Sequence, residues 1–119
     1  MIDGRALAEG VKRQLSARVE ELASSGIPVR LDVLLAEGNS AGEVYSRNQE
    51  RMCADIGIEY VVHPVSANAT QQDVEERISE LNADAAVTAV MVHLPLPDLI
   101  DTERIQGMIA LDKDVEGVN

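Results

Sequence analysis

Two side chains in the segment VYSRNQERM, residues 44–52, could position a small molecule. Tyr45 and Gln49 are four residues apart, so they share one face if the segment is helical. A phenol and a primary amide both donate and accept hydrogen bonds, but the amide cannot exchange a proton near neutral pH. The pair therefore indicates either an active site whose proton carrier lies elsewhere or an ordinary packed helix.

A histidine at the end of an apolar run is the second chemical candidate. The run AVTAVMVHLPLP, residues 86–97, is typical of a strand buried on both faces, and this strand would deliver His93 to the rim of a sheet. Pro95 and Pro97 are expected to hold the following chain in an extended form. The rigid apolar segment at residues 94–97, called the shelf below, lies beside the polar side chain of His93. Such a combination is typical of a pocket. His63 lies in an earlier apolar segment and is interpreted as a packed or exposed residue.

The elements that must position these side chains follow from the spacing of apolar residues. Helical spacing predicts helices over about residues 4–24, 41–56, 70–82 and 102–110. The segments VRLDVLLAEG, IEYVVHPV and AVTAVMVH predict strands, the second of them broken by Pro64. Thr70 and Asp73 have the spacing of a capping box, and Ser40 is the expected cap of the second helix.

Alternation of helices and strands predicts a three-layer α/β domain, in which a mostly parallel sheet is covered by helices on both faces. Such sheets bind ligands beyond the carboxyl ends of their strands. That edge would contain the loop at residues 37–41, the segment after Val65 and the shelf that follows His93. We therefore expect the pocket at this edge.

Composition argues against several classes of partner. The chain has 10 Lys and Arg residues against 21 Asp and Glu residues, and its net charge of −11 repels nucleic acid and anionic membranes. Cys53 is the one cysteine, and it is expected to be a buried thiol in a reducing cytoplasm. One cysteine and two distant histidines predict no metal site. The start of the chain lacks an apolar signal region, and no apolar run reaches transmembrane length.

Four phrases of the sequence carry a resemblance to a known family: IDGRA at 2–6, YSRNQERMCADIGI at 45–58, HLPLP at 93–97 and KDVEG at 113–117. Together they resemble the N-terminal catalytic domain of bifunctional methylenetetrahydrofolate dehydrogenase/cyclohydrolases. The resemblance implies one folate-binding catalytic domain over residues 1–119. It also implies a C-terminal NAD(P)-binding domain that this chain lacks, since no G-x-G-x-x-G stretch is present.

The resemblance also implies a function. Members of the family interconvert 5,10-methylene-, 5,10-methenyl- and 10-formyltetrahydrofolate, with NADP or NAD as hydride acceptor and without a metal. We expect a cytoplasmic, homodimeric parent enzyme, and little dehydrogenase activity from this chain alone. By resemblance, the catalytic residues are Tyr45, Gln49 and His93. The expected substrate contacts are Tyr45, His93, Leu94, Pro95, Leu96, Pro97 and Glu116.

Three of these positions depart from the family pattern. Gln49 stands where the family has a lysine that moves protons, so cyclohydrolase activity is expected to be reduced more than dehydrogenase activity. His93 replaces a glutamine, and imidazole titrates near neutrality. Either His93 carries the proton while Gln49 orients the imidazole, or His93 is only a residue at the rim of the sheet whose hydrogen bonds are satisfied within the protein. Glu116 replaces the aspartate that holds the pterin, and it is either a longer substrate ligand or a solvated acid.

Two rival functions remain open from the sequence. A non-catalytic folate-binding or regulatory relative would bind folate without turnover. A structural module would use the same fold for protein contacts and would have no folate affinity. The three altered positions fit either a retuned enzyme or a site that is losing its activity.

Overall fold

The alternating patterns fold into a parallel sheet flanked by helices, as the sequence predicts. The computed structural model describes residues 17–115. The predicted helix over residues 4–24 is therefore described only at its end, and the segment IDGRA and Glu116 lie outside the described residues. In chain order the elements are α1 (Ala17–Ser24), β1 (Val29–Ala36), α2 (Ser40–Asp55), β2 (Ile58–Val65), α3 (Gln71–Ala83), β3 (Ala89–His93), α4 (Thr102–Met108) and a 3-10 turn (Leu111–Lys113).

The sheet has the strand order β2-β1-β3, and both pairings are parallel. Strand β1 is therefore central, and its register places Leu31 opposite Tyr60 and Leu35 opposite His93. The predicted break at Pro64 is wrong, because β2 continues through Pro64 to its end. The proline is tolerated there because β2 is an edge strand of the described sheet, and an edge strand does not need every N–H for pairing.

Each face of the sheet buries its own aliphatic cluster, as expected for a chain without Trp or Phe. Side chains alternate between faces along a strand, so neighbouring residues enter different clusters. One cluster packs under α1 and α2, and its members include Leu31, Val33, Cys53, Ile58 and Met91. The other packs under α3 and α4, and its members include Leu34, Val74, Ile78, Val90 and Ile105.

Side-chain caps fix where two of the helices begin. The predicted capping box is confirmed, because Thr70 Oγ1 accepts from Asp73 N at 3.1 Å and Asp73 Oδ2 accepts from Thr70 N at 3.0 Å. The prediction that Ser40 caps α2 is wrong. Asn39 is the cap, and its Oδ1 accepts from Gly42 N at 3.0 Å. Position 42 has no room for a side chain, since a Cβ there would lie 2.5 Å from Asn39 Nδ2.

A buried lysine anchors the 3-10 turn that follows α4. Lys113 Nζ donates to the backbone oxygens of Leu81, Asn82 and Asp84, at 2.9 Å each. A cation is favourable at this place, because the carbonyls at the end of α3 carry partial negative charge. Lys113 therefore holds the turn against the end of α3.

The described residues contain neither a membrane-spanning helix nor a cluster of metal ligands. Within residues 17–115, no helix has the length and the apolar character needed to cross a bilayer. The same part of the chain contains no group of three or more His, Cys, Asp or Glu side chains that could hold a metal ion.

Candidate functional site

The shelf after β3 is anchored to the loop after β1. Asn39 Nδ2 donates to the backbone oxygen of Leu94 at 3.2 Å, so the residue that caps α2 also holds the start of the shelf. The shelf contains a cis Leu94–Pro95 peptide, which the sequence did not predict. Its side chains point in different directions: Leu94 is 51% exposed, whereas Leu96 is 6% exposed and packs in the core under α3 and α4.

A cavity of about 190 Å³ lies at this carboxyl edge of the sheet. Its walls come from the loop after β1, the segment after β2 and the shelf after β3. The pocket is therefore where parallel-sheet topology predicts one. Its lining residues are Ala36, Glu37, Gly38, Asn39, Ala67, Pro95, Leu96 and Pro97.

Tyr45 and His93 are brought together beside this edge. Helix α2 carries Tyr45, and β3 ends with His93. Their ring centroids are 5.2 Å apart, and their planes are inclined by 73°, which is an edge-to-face contact. Gln49 is 0% exposed and lies one turn further along α2. The side chains of all three expected catalytic residues therefore occupy one region between α2 and the sheet.

A second tyrosine connects two of these residues. The hydroxyl of Tyr60, on β2, donates to Gln49 Oε1 at 2.9 Å and lies 3.3 Å from His93 Nε2. It also lies 2.6 Å from the hydroxyl of Ser46. On its other side, Gln49 Nε2 donates to Met91 Sδ at 3.3 Å. Gln49 therefore reaches His93 through the Tyr60 hydroxyl rather than directly.

Sequence reasoning missed Tyr60 and Ser46, although a signal for them exists. The buried residues of α2 are Gly42, Ser46, Gln49 and Cys53, which recur at intervals of three or four residues. Two polar side chains on the sheet-facing side of a helix require polar partners on the sheet. Tyr60 is the aromatic residue with a hydroxyl on the strand that follows α2, and it could have been proposed as that partner.

Burial changes the protonation chemistry of the site. Loss of water around His93, which is 7% exposed, lowers its pKa to about 4. The near-neutral pKa expected from the sequence is therefore wrong, and the imidazole is neutral at pH 7. Burial also raises the pKa of Tyr60, partly opposed by its hydrogen bond with Ser46. At neutral pH, the uncharged His93 can accept a proton, but it is not an imidazolium cation that could donate one.

His63 belongs to a separate cluster on the opposite face of the sheet. Its Nε2 lies 2.7 Å from Oδ2 of Asp32, a carboxylate with no exposed surface. The guanidinium of Arg30 makes two further bonds to the same carboxylate, at 2.9 Å each. The ring also lines a cavity of about 310 Å³ beside α3. The structure therefore places His63 in a partly buried ion-pair cluster, away from Tyr45 and His93.

Known proteins share the sequence and the fold of this domain. The family model described as the tetrahydrofolate dehydrogenase/cyclohydrolase catalytic domain matches residues 2–116. The chain belongs to this family. It is 40% identical over 118 residues to the bifunctional protein FolD of Oleidesulfovibrio alaskensis, an alignment that covers 98% of this chain and 41% of the relative.

Two solved structures agree with the tetrahydrofolate dehydrogenase/cyclohydrolase fold. The bifunctional FolD enzyme of Campylobacter jejuni gives a TM-score of 0.75 at 35% identity, covering 94% of this chain and 40% of that one. The Trypanosoma brucei dehydrogenase-cyclohydrolase, solved with NADP cofactor and an inhibitor, gives 0.75 at 28% identity, covering 96% and 39%. The chain thus spans about two fifths of the length of the proteins it matches.

Proposed function

We propose that this tetrahydrofolate dehydrogenase/cyclohydrolase domain binds a reduced folate at the carboxyl edge of its sheet. In the full-length protein it would form the folate side of an NAD(P)-dependent methylenetetrahydrofolate dehydrogenase/cyclohydrolase. The observation that carries the proposal is the contact of Tyr45 with His93 beside the exposed Leu94, in a domain of this family. Residues 1–119 are then one catalytic domain of a larger enzyme.

The side chains at this edge suit the flat, partly apolar folate. The ring of Tyr45 offers a face for stacking on the aminobenzoate ring, whereas its hydroxyl oxygen is sealed from solvent in this structure. Leu94 and Pro95 are exposed apolar neighbours for the same ring. Glu116 is proposed as the carboxylate that pairs with the amino-pyrimidine edge of the pterin. Tyr45, Leu94 and Glu116 would then orient the substrate without exchanging protons.

His93 is proposed as the proton acceptor of the cyclohydrolase step. Adding water to the methenyl carbon releases a proton, which a nearby base must accept. Gln49 cannot accept it, and His93 is neutral at pH 7 and therefore able to do so. A base with a pKa of about 4 is weak, so cyclohydrolysis is expected to be slow relative to dehydrogenation. Gln49 would act by holding the Tyr60 hydroxyl that contacts His93.

NADP or NAD would supply the hydride acceptor when bound. The chain contains no G-x-G-x-x-G turn, so we propose that residues outside it hold the nucleotide. We also propose a homodimeric enzyme in the cytoplasm, with no resident metal and no nucleic-acid or membrane partner. These proposals rest on the family and on the acidic charge of the chain.

The test uses the full-length protein in which this chain occurs. Hydrolysis of 5,10-methenyltetrahydrofolate is followed by its absorbance, and dehydrogenation by reduction of the nucleotide. His93→Gln should abolish most of the hydrolysis and leave more of the dehydrogenation. His63→Gln is the matched control, because that histidine lies on the other face of the sheet, and it should keep both activities. Gln49→Lys should raise hydrolysis, since an amine then stands where the family moves protons.

Each alternative gives a different result in these assays. Unchanged hydrolysis in His93→Gln would remove His93 from the proposed mechanism. Folate binding without either activity would identify a non-catalytic folate-binding relative. A protein with no folate affinity would instead be a structural module, and the proposed function would be wrong.

A further inference from the structure

We infer that Tyr60 is a positioning residue that holds His93 as the neutral tautomer with its proton on Nε2, leaving Nδ1 as the free base. The catalytic consequence rests on the proposed function, whereas the tautomer itself does not. Three observations carry the inference: the partners of Gln49, the hydrogen-bond capacity of the Tyr60 hydroxyl, and the surroundings of His93 Nδ1.

The partners of Gln49 fix the direction of its bonds. Met91 Sδ carries no hydrogen, so the amide group that faces it at 3.3 Å must be the NH₂ donor. The carbonyl Oε1 therefore faces Tyr60, at 2.9 Å from its hydroxyl oxygen. Because Oε1 can only accept, the single hydroxyl proton of Tyr60 is used in this bond. Gln49 is fully buried, so bulk water does not reach its amide.

The oxygen of Tyr60 can then only accept from its other two neighbours. A hydroxyl oxygen has two lone pairs, and two groups lie within reach: Ser46 Oγ at 2.6 Å and His93 Nε2 at 3.3 Å. Both must donate, so the Nε2 of His93 carries the hydrogen. The opposite arrangement, in which Tyr60 donates to His93, would leave the buried Oε1 of Gln49 facing a lone pair. Such a buried acceptor without a donor is unfavourable.

The second ring nitrogen of His93 has different surroundings. Nδ1 has no hydrogen-bond partner in residues 17–115, and it is not among the side-chain atoms that are both sealed from solvent and without a partner. Nδ1 is therefore not fully sealed from solvent, whereas Nε2 faces the Tyr60 hydroxyl. The edge contact with Tyr45 limits rotation of the ring. Tyr60 thus places the lone pair of a neutral imidazole where the proposed reaction needs a proton acceptor.

The tautomer can be read directly by NMR on the full-length protein labelled with ¹⁵N-histidine, which is independent of turnover. His93 should show a protonated Nε2 and an unprotonated Nδ1 at pH 7. His63 is an internal reference, because its Nε2 faces Asp32 Oδ2 and no change at Tyr60 should alter it. Free histidine already favours the Nε2–H form, so the decisive measurement is a variant that should invert the preference.

The double variant Ser46→Ala/Gln49→Leu removes the two competing partners of the Tyr60 hydroxyl. Its proton should then go to His93 Nε2, and the signal should change to the Nδ1–H form. Ser46→Ala alone is the matched control and should keep the Nε2–H form, since Gln49 still takes the hydroxyl proton. Adding Tyr60→Phe to the double variant should remove the inversion, because the donor is then lost.

Several outcomes would overturn the inference. They are an Nδ1–H form in the unmodified protein, an Nε2–H form in the double variant, and an inversion that persists without the Tyr60 hydroxyl. The proposed function fails separately, through absent turnover or absent folate binding. If turnover is present, loss of the hydroxyl in Tyr60→Phe should lower kcat for hydrolysis while KM and dehydrogenation change little. An unchanged kcat would show that Tyr60 positions His93 without catalytic effect.

Discussion

Mild acid should destabilise this domain through His93. Burial lowers the pKa of the folded imidazole to about 4, whereas an unfolded histidine titrates at about 6.5. Between these two values the unfolded chain binds a proton that the folded chain does not. The contribution of His93 to stability is therefore complete above about pH 6.5 and is lost as the pH falls towards 4.

The size of the effect follows from the two pKa values. A difference of about 2.5 corresponds to about 3.4 kcal/mol of unfolding free energy once both states are protonated. Two-state linkage places about 2 kcal/mol of this loss above pH 5. The solvent does not screen the effect strongly, because the ring of His93 is almost wholly buried.

The assay is urea unfolding of the full-length protein and of His93→Gln at several pH values from 7 to 5. The carboxylates titrate in both proteins, so their effect cancels when the two free energies of unfolding are subtracted. Between pH 7 and pH 5, the free energy of unfolding of His93→Gln should therefore fall by about 2 kcal/mol less than that of the unmodified protein. His63→Gln retains His93 and should keep its acid sensitivity. Parallel stability curves for the unmodified protein and His93→Gln would refute the reasoning, since His93 would then titrate alike in both states.

Three further predictions concern buried polar groups. Lys113→Met removes three hydrogen bonds from a cation to carbonyls at the end of α3. Urea unfolding should therefore show a free energy of unfolding lower by about 2–3 kcal/mol. A loss below about 0.5 kcal/mol would count against Lys113 as the anchor of the turn. Asp32→Asn leaves Arg30 without its buried counter-charge. The same assay should show a free energy of unfolding lower by about 2–4 kcal/mol. An unchanged free energy of unfolding would mean that Arg30 turns to solvent. Cys53 is sealed in the core with its pKa raised by burial to about 11, so alkylation at pH 8 should be at least about a hundredfold slower than in the unfolded protein; equal rates would contradict the burial.

Most of the architecture could be predicted from the sequence, because it depends on local periodicity. The strand at Ala89–His93 follows from a continuous apolar run, and α3 follows from its capping box and helical spacing. The errors arose where two local rules compete. Pro64 weakens a strand in general, but its edge position removes the cost. Ser40 and Asn39 both suit a cap, and only the path of the chain decides between them.

The candidate site was less predictable because it depends on contacts between distant segments. Tyr45, Gln49 and His93 could be named from spacing and resemblance, but the Tyr60 hydroxyl lies between them only because β2 and β3 both pair with β1. The pKa of His93 was missed for the same reason. The imidazole lies at the end of a strand, where exposure was the natural expectation, and α2 covers it instead.

The arrangement around Tyr60 explains why Gln49 and His93 suit one another. A lysine at position 49 would put a cation in a fully buried place whose other neighbour is a thioether, and such a charge would disfavour protonation of any imidazole nearby. The neutral Gln49 adds no such repulsion, and burial alone lowers the pKa of His93. The proposed methenyl folate substrate is itself cationic, so a site without fixed positive charge at this point would avoid like-charge repulsion with it. Gln49 and His93 are thus compatible with each other through one shared hydroxyl. In Gln49→Lys, burial would favour the neutral amine, which would replace His93 as the proton acceptor and so raise hydrolysis.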